Sequence, residues 1–118
     1  MIDADSILTS TKKLLGLTEE YEPFDNDIII YINSALSTLT QLGVGPATGY
    51  KIQDETNKWS EYLGNDPRLE FVKEFVYLKV RLVFDPPASS AVINAYDQMI
   101  KELEFRITCA CESPSDKA

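Results

Sequence analysis

Apolar residues recur along this chain at helical spacing in four separate stretches. In the first, Ala4, Ile7, Leu8, Thr11, Leu14 and Leu15 share a face, which predicts a helix over about Asp3 to Leu15. Asp3 or Asp5 is placed to cap it, and Gly16 suits the left-handed position past its end. Lys12 and Lys13 complement the helix dipole in the last turn. An acidic connection with Glu19, Glu20 and Glu22 follows. The second helix is expected over Asp25 to Leu42, capped by Asp25 or Asn26 and stopped by Gly43. Its stripe is Ile28, Ile32, Ala35, Leu36, Leu39 and Leu42. The third is expected over Asp66 to Phe84, with Asp66 as N-cap and Pro67 as the first helical residue. Asp85-Pro86-Pro87 ends it. The fourth is expected over Ala88 to Thr108, started by Ser89 or Ser90. Its stripe is Val92, Tyr96, Met99, Ile100, Leu103 and Ile107.

Between the second and third helices, Val44 to Asn65 reads as one long irregular connection turned by Gly43, Gly45, Pro46 and Gly49. Tyr50 to Gln53 are compatible with a short strand or hairpin, and Trp59 to Leu63 with a helical turn. The expected fold is therefore mainly α: a four-helix bundle-like domain over residues 1–112 with a long loop between its second and third helices. Residues 113–118 read as a disordered polar tail.

Two helix faces depart from the ordinary. The third helix is apolar over an arc of about 200°, twice the width a surface helix needs. It must be central to the bundle or packed on a second subunit. Arg68 and Lys79 fall inside that arc, where they either reach solvent along their stems or, for Lys79, meet a carboxylate of a neighbour. The second helix has the opposite oddity. Asn33, Ser34, Ser37, Thr38, Thr40 and Gln41 make an outer face that is polar but uncharged. Such a face suits cover by the long connection, a protein contact, or a channel wall that must not hold a passing polyanion. Ile30 on this helix and Phe105 on the fourth stand alone on outer faces and are candidate contact points.

The connection carries Tyr50, Ile52, Trp59 and Tyr62, an aromatic weight that a small helical domain does not require in a loop. Either it folds onto the domain's own core with Trp59 as a plug, or these side chains anchor a partner. The working expectation pairs the third helix around Lys79 with the loop around Trp59 of a neighbour.

Composition narrows the function. Nineteen acidic residues against 11 basic ones leave a net charge of −8. That argues against capture of nucleic acid or anionic lipid, both of which need cationic surface. There is no histidine, which removes the Ser–His–Asp triad and imidazole metal sites. Cys109 and Cys111 are too few for a disulfide framework or an all-thiolate zinc site. Gly43-Val44-Gly45 lacks the Lys-Ser/Thr of a phosphate loop. Asp54-Glu55 and Glu19-Glu20 are paired carboxylates with no sign of an enclosed site. No catalytic residue, cofactor or metal is expected. The start is acidic, unlike a secretory leader, and a cytoplasmic protein without a membrane span is expected.

The chain resembles the small head–tail connector (adaptor) proteins of tailed bacteriophages. The resemblance is carried by Ser6-Ile-Leu-Thr-Ser-Thr-Lys-Lys-Leu-Leu-Gly16, by Phe24-Asp-Asn-Asp-Ile-Ile-Ile entering a helix that ends Thr40-Gln-Leu-Gly-Val-Gly-Pro46, and by Tyr77-Leu-Lys-Val-Arg-Leu-Val-Phe-Asp-Pro-Pro-Ala-Ser-Ser90. It implies a helical, non-enzymatic protein of the virion neck, present in the host cytoplasm during assembly. It also implies a ring of about twelve copies, closed by head-to-tail contacts and built from subunits that exist free beforehand. Portal protein above and a neck or tail protein below are the implied partners, with DNA passing through unbound. The alternative is another phage assembly factor, such as a tail-completion protein or head-assembly helper, or an acidic anti-host interaction domain.

Overall fold

A computed structural model describes residues 5–18 and 20–112. It contains α1 (Ile7–Leu14), α2 (Asp25–Gln41), α3 (Trp59–Leu63), α4 (Leu69–Phe84) and α5 (Ser90–Glu112). The fold is mainly α, as expected, and the expected helical turn inside the connection is α3. No strand is present among the described residues, so the anticipated strand at Tyr50 to Gln53 is not formed. A single isolated bridge between Ser6 and Lys58 is the extended pairing among the described residues.

The middle of α4 is the centre of the molecule. It packs against α2 on one side and α5 on another, and also touches α1. This accounts for most of its wide apolar arc, while Val83 near the helix end stays 58% exposed. Val72, Phe75, Val76, Leu78 and Val80 are all buried. Each such side chain removed from water stabilises the fold by about 1.5–3 kcal/mol. From α2, Ile28, Ile32, Ala35, Leu36 and Leu39 meet this core, as their spacing predicts. The α5 stripe is only half used: Ile100, Leu103 and Ile107 are buried, whereas Val92 and Met99 remain exposed. The tail, residues 113–118, lies outside the described residues.

Helix starts differ from expectation in an instructive way. Ser6 caps α1, its Oγ accepting the Thr9 N–H at 3.2 Å. Asp3 lies outside the described residues. Asp5 does serve a helix N-terminus, but that of α3. Its carboxylate accepts the Ser60 N–H at 3.2 Å and the Ser60 hydroxyl at 2.6 Å. The Asp5 carbonyl accepts the Trp59 N–H at 2.7 Å, and the Asn57 carbonyl accepts the Ile7 N–H at 3.0 Å. The start of the chain is thus stitched to the long connection.

Neither Asp25 nor Asn26 caps α2; Phe24 holds that position without a side-chain bond. Asp25 instead pairs with Lys12 at 2.8 Å. Lys12, in the last turn of α1 as expected, is only 2% exposed. α4 begins at Leu69, not at Pro67. Asp66 ends a turn just ahead of it, accepting the Arg68 N–H at 2.8 Å and gripping the Arg68 guanidinium at 2.6 Å. α5 runs beyond Thr108 to Glu112, and Ser89 Oγ accepts the Ala91 N–H at its start.

Candidate assembly surfaces

The long connection folds onto its own domain. Trp59 is buried, and its indole N–H donates to Ser10 Oγ at 2.9 Å. Ile52 and Tyr62 are buried with it. These three residues, marked in the sequence as interface candidates, are core residues of their own chain. The suggested contact between Lys79 and a neighbour's Trp59 loop therefore has no Trp59 surface to use. Tyr50 is half-buried, stacked on Tyr62 with ring centroids 4.8 Å apart. Its hydroxyl donates to Glu61 at 3.4 Å. Burial pushes the Tyr62 phenol far above its usual range.

The close fit around Tyr62 depends on Gly45. Its φ is +79°, and a Cβ there would stand 2.7 Å from Tyr62 Cε1. Only glycine combines that backbone conformation with that approach.

The uncharged face of α2 divides in two. Asn33 is covered by the connection: its amide accepts the Ile52 N–H and donates to the Ile52 carbonyl. Thr40 is half-buried, with its hydroxyl turned back to the Leu36 carbonyl at 3.1 Å. Ser34, Ser37 and Gln41 stay exposed, in line with Ile30. Ile30 is 62% exposed.

Arg68 is half-buried and tied to Asp66. That guanidinium is the main reason the Asp66 carboxyl is held below the usual range, against a smaller opposing effect of burial. Lys79 is half-buried, with Nζ 5.8 Å from the Phe75 ring centroid.

A groove that sequence reasoning did not single out opens beside the start of α2. Its volume is about 670 Å³, and its wall includes Tyr21, Phe24, Tyr31, Val83 and Phe84. Phe24 meets Phe84 edge-on at 5.3 Å and Tyr21 at 5.9 Å. Tyr21, Phe24 and Val83 are all exposed. The available signal was two aromatic residues inside the otherwise acidic connection before α2. Phe105 of α5 is 68% exposed.

Among the described residues, no group of three or more His, Cys, Asp or Glu is placed to hold a metal ion. Cys109 is a free, exposed thiol. No described helix is long and apolar enough to cross a membrane. Exposed apolar side chains thus stand at separate places on a helical body. The chain belongs to the phage connector protein family, whose model matches residues 7–114. That is a structural family, and it associates the chain with the virion. Comparison with curated proteins and with solved structures gave no match.

Proposed function

We propose that the chain is a non-enzymatic structural protein of the virion neck. It forms a ring below the portal, extends the DNA channel and joins head to tail. The observation that carries this reading is family membership over residues 7–114. A ring of about twelve copies of one protein needs two different patches per subunit, and separate exposed apolar patches support it. The partners are portal protein and a downstream neck or tail protein. The net charge of −8 fits DNA as cargo, because like charges repel.

Ser34, Ser37 and Gln41 of α2 are the exposed, uncharged residues available to a channel wall or contact face. Ile30, Tyr50 and Lys79 retain exposed surface as further contact candidates. Electron microscopy of the protein alone and mixed with portal tests the reading. Rings on the portal are expected. A protein that stays monomeric at high concentration and leaves the portal bare would overturn it.

A further inference from the structure

We propose that the groove between Phe24 and Phe84 is the docking site for a basic, apolar-anchored segment of a different protein of the neck. The inference rests on the neck reading and names the chemistry of the partner at this contact.

The groove is apolar, and its volume is more than one side chain fills. Tyr21, Phe24 and Val83 are exposed along it, and contiguous apolar surface of this kind marks a protein contact. Two features of the wall select the sign of the partner's charge. The aromatic faces of Tyr21, Phe24, Tyr31 and Phe84 attract a Lys or Arg cation placed over them. The carboxylates in the wall, Asp27 and Asp85, attract the same cation. Arg81 stands 3.8 Å from Asp85 and offsets part of its charge. Asp27 is exposed and makes no ion pair among the described residues.

The surroundings carry the same sign. Tyr21 and Phe24 line the groove, whereas Glu20 and Glu22 of the same connection line a second hollow of about 270 Å³ with Asp25 and Glu55. Lys12 is the one cation among that hollow's lining residues, and Asp25 already pairs with it at 2.8 Å. Lys13, exposed in the last turn of α1, lines neither hollow. A segment that seats apolar side chains in the groove and sends Lys or Arg across the connection meets acid on both sides. A second copy of this chain lacks that chemistry. It brings a net charge of −8 to a surface of the same sign. Lys12-Lys13 is its one pair of adjacent basic residues, and Lys12 is buried. Arg68, Lys73, Arg81 and Arg106 are already in ion pairs of their own chain. The occupant is therefore a different, basic chain.

The probes are the purified portal protein and the purified downstream neck or tail protein of the same phage, with binding read by sedimentation velocity. Asp27→Lys and Val83→Ser should each weaken binding to one of the two about tenfold. Glu70→Lys makes the same charge change about 20 Å from Val83 along α4 and should leave binding unchanged. All three side chains are exposed, so the variants should fold, as circular dichroism will check. A photo-crosslinking side chain in place of Val83, in a mixture of all three proteins, should join a segment of the same partner that carries Lys or Arg beside apolar residues. Crosslinks to a second copy, to an acidic segment or to nothing overturn the proposal, as do Asp27→Lys and Glu70→Lys that bind equally well. Rings that still form on the portal in those cases leave the neck reading standing. Wild type that binds neither protein and forms no ring overturns both.

Discussion

Asn33 holds Ile52 by both backbone groups: Oδ1 accepts the Ile52 N–H at 2.8 Å, and Nδ2 donates to the Ile52 carbonyl at 3.1 Å. A side-chain amide here does what a neighbouring strand would do, and it fastens the long connection to α2. Asn33→Ala leaves both backbone groups without this partner in a part-buried place. A loss of about 1–3 kcal/mol is expected. Chemical denaturation measures it, and limited proteolysis should show faster cutting within residues 44–58.

Trp59 is the plug under that connection. Trp59→Ala should cost about 3–5 kcal/mol, because a large side chain leaves a cavity that a helix-lined core fills poorly. Trp59→Phe should cost less, while removing the bond to Ser10. Denaturant midpoints rank the series. Loss of assembly without loss of stability would contradict the burial of Trp59.

Gly45 and Tyr62 make a paired test. Gly45→Ala forces a left-handed residue, at roughly 1–2 kcal/mol, and pushes against the Tyr62 ring. Gly16→Ala carries the same backbone cost in open space, so it should be the milder change. The Tyr62 hydroxyl is buried with no hydrogen bond to the described residues. Tyr62→Phe should therefore leave the melting temperature unchanged or raise it.

Lys12 and Asp25 form an ion pair 2.8 Å long, with the lysine side chain almost wholly buried. Asp25→Ala should cost about 3 kcal/mol, the low end for such a pair, since Asp25 keeps some solvent. Lys12→Met with Asp25→Leu should recover most of that loss. Equilibrium unfolding of the single and double variants checks both statements.

Asp66 sets part of the acid limit. The hydrogen bond from Arg68 holds its carboxyl below the ordinary value of 3.8. Its folded value is thus lower than its unfolded one. The stabilisation is fully present above the unfolded value and is lost as pH falls through the folded value. The fall in melting temperature between about pH 4 and about pH 2 should be shallower in Asp66→Asn. Equal slopes in the two proteins would remove Asp66 from the account.

The helix stripes were legible because the 3.6-residue period is local: Ile28, Ile32, Leu36 and Leu39 need only one another to define a face. The width of the α4 stripe already required that helix to be central or shared. The caps were less legible. Asp5 and Ser6 are adjacent, and both are good capping residues. Which of them caps α1 depends on α3 lying alongside, more than fifty residues later. The same holds for Lys12: its place in the last turn of α1 is local, but its pairing with Asp25 depends on how α2 packs.

The amino-acid sequence alone determined a histidine-free, acidic, helical chain with a long aromatic connection, and its motifs pointed to the connector family. Each of these properties is carried by composition or by residues close together in the chain. Only the tertiary structure decided that Trp59, Ile52 and Tyr62 belong to the core, that Asn33 is a clasp, and that Phe24 and Phe84 form one groove. Those outcomes depend on which distant segments come to lie against each other. That is set by the burial of the whole apolar surface at once, and no local window of sequence contains it.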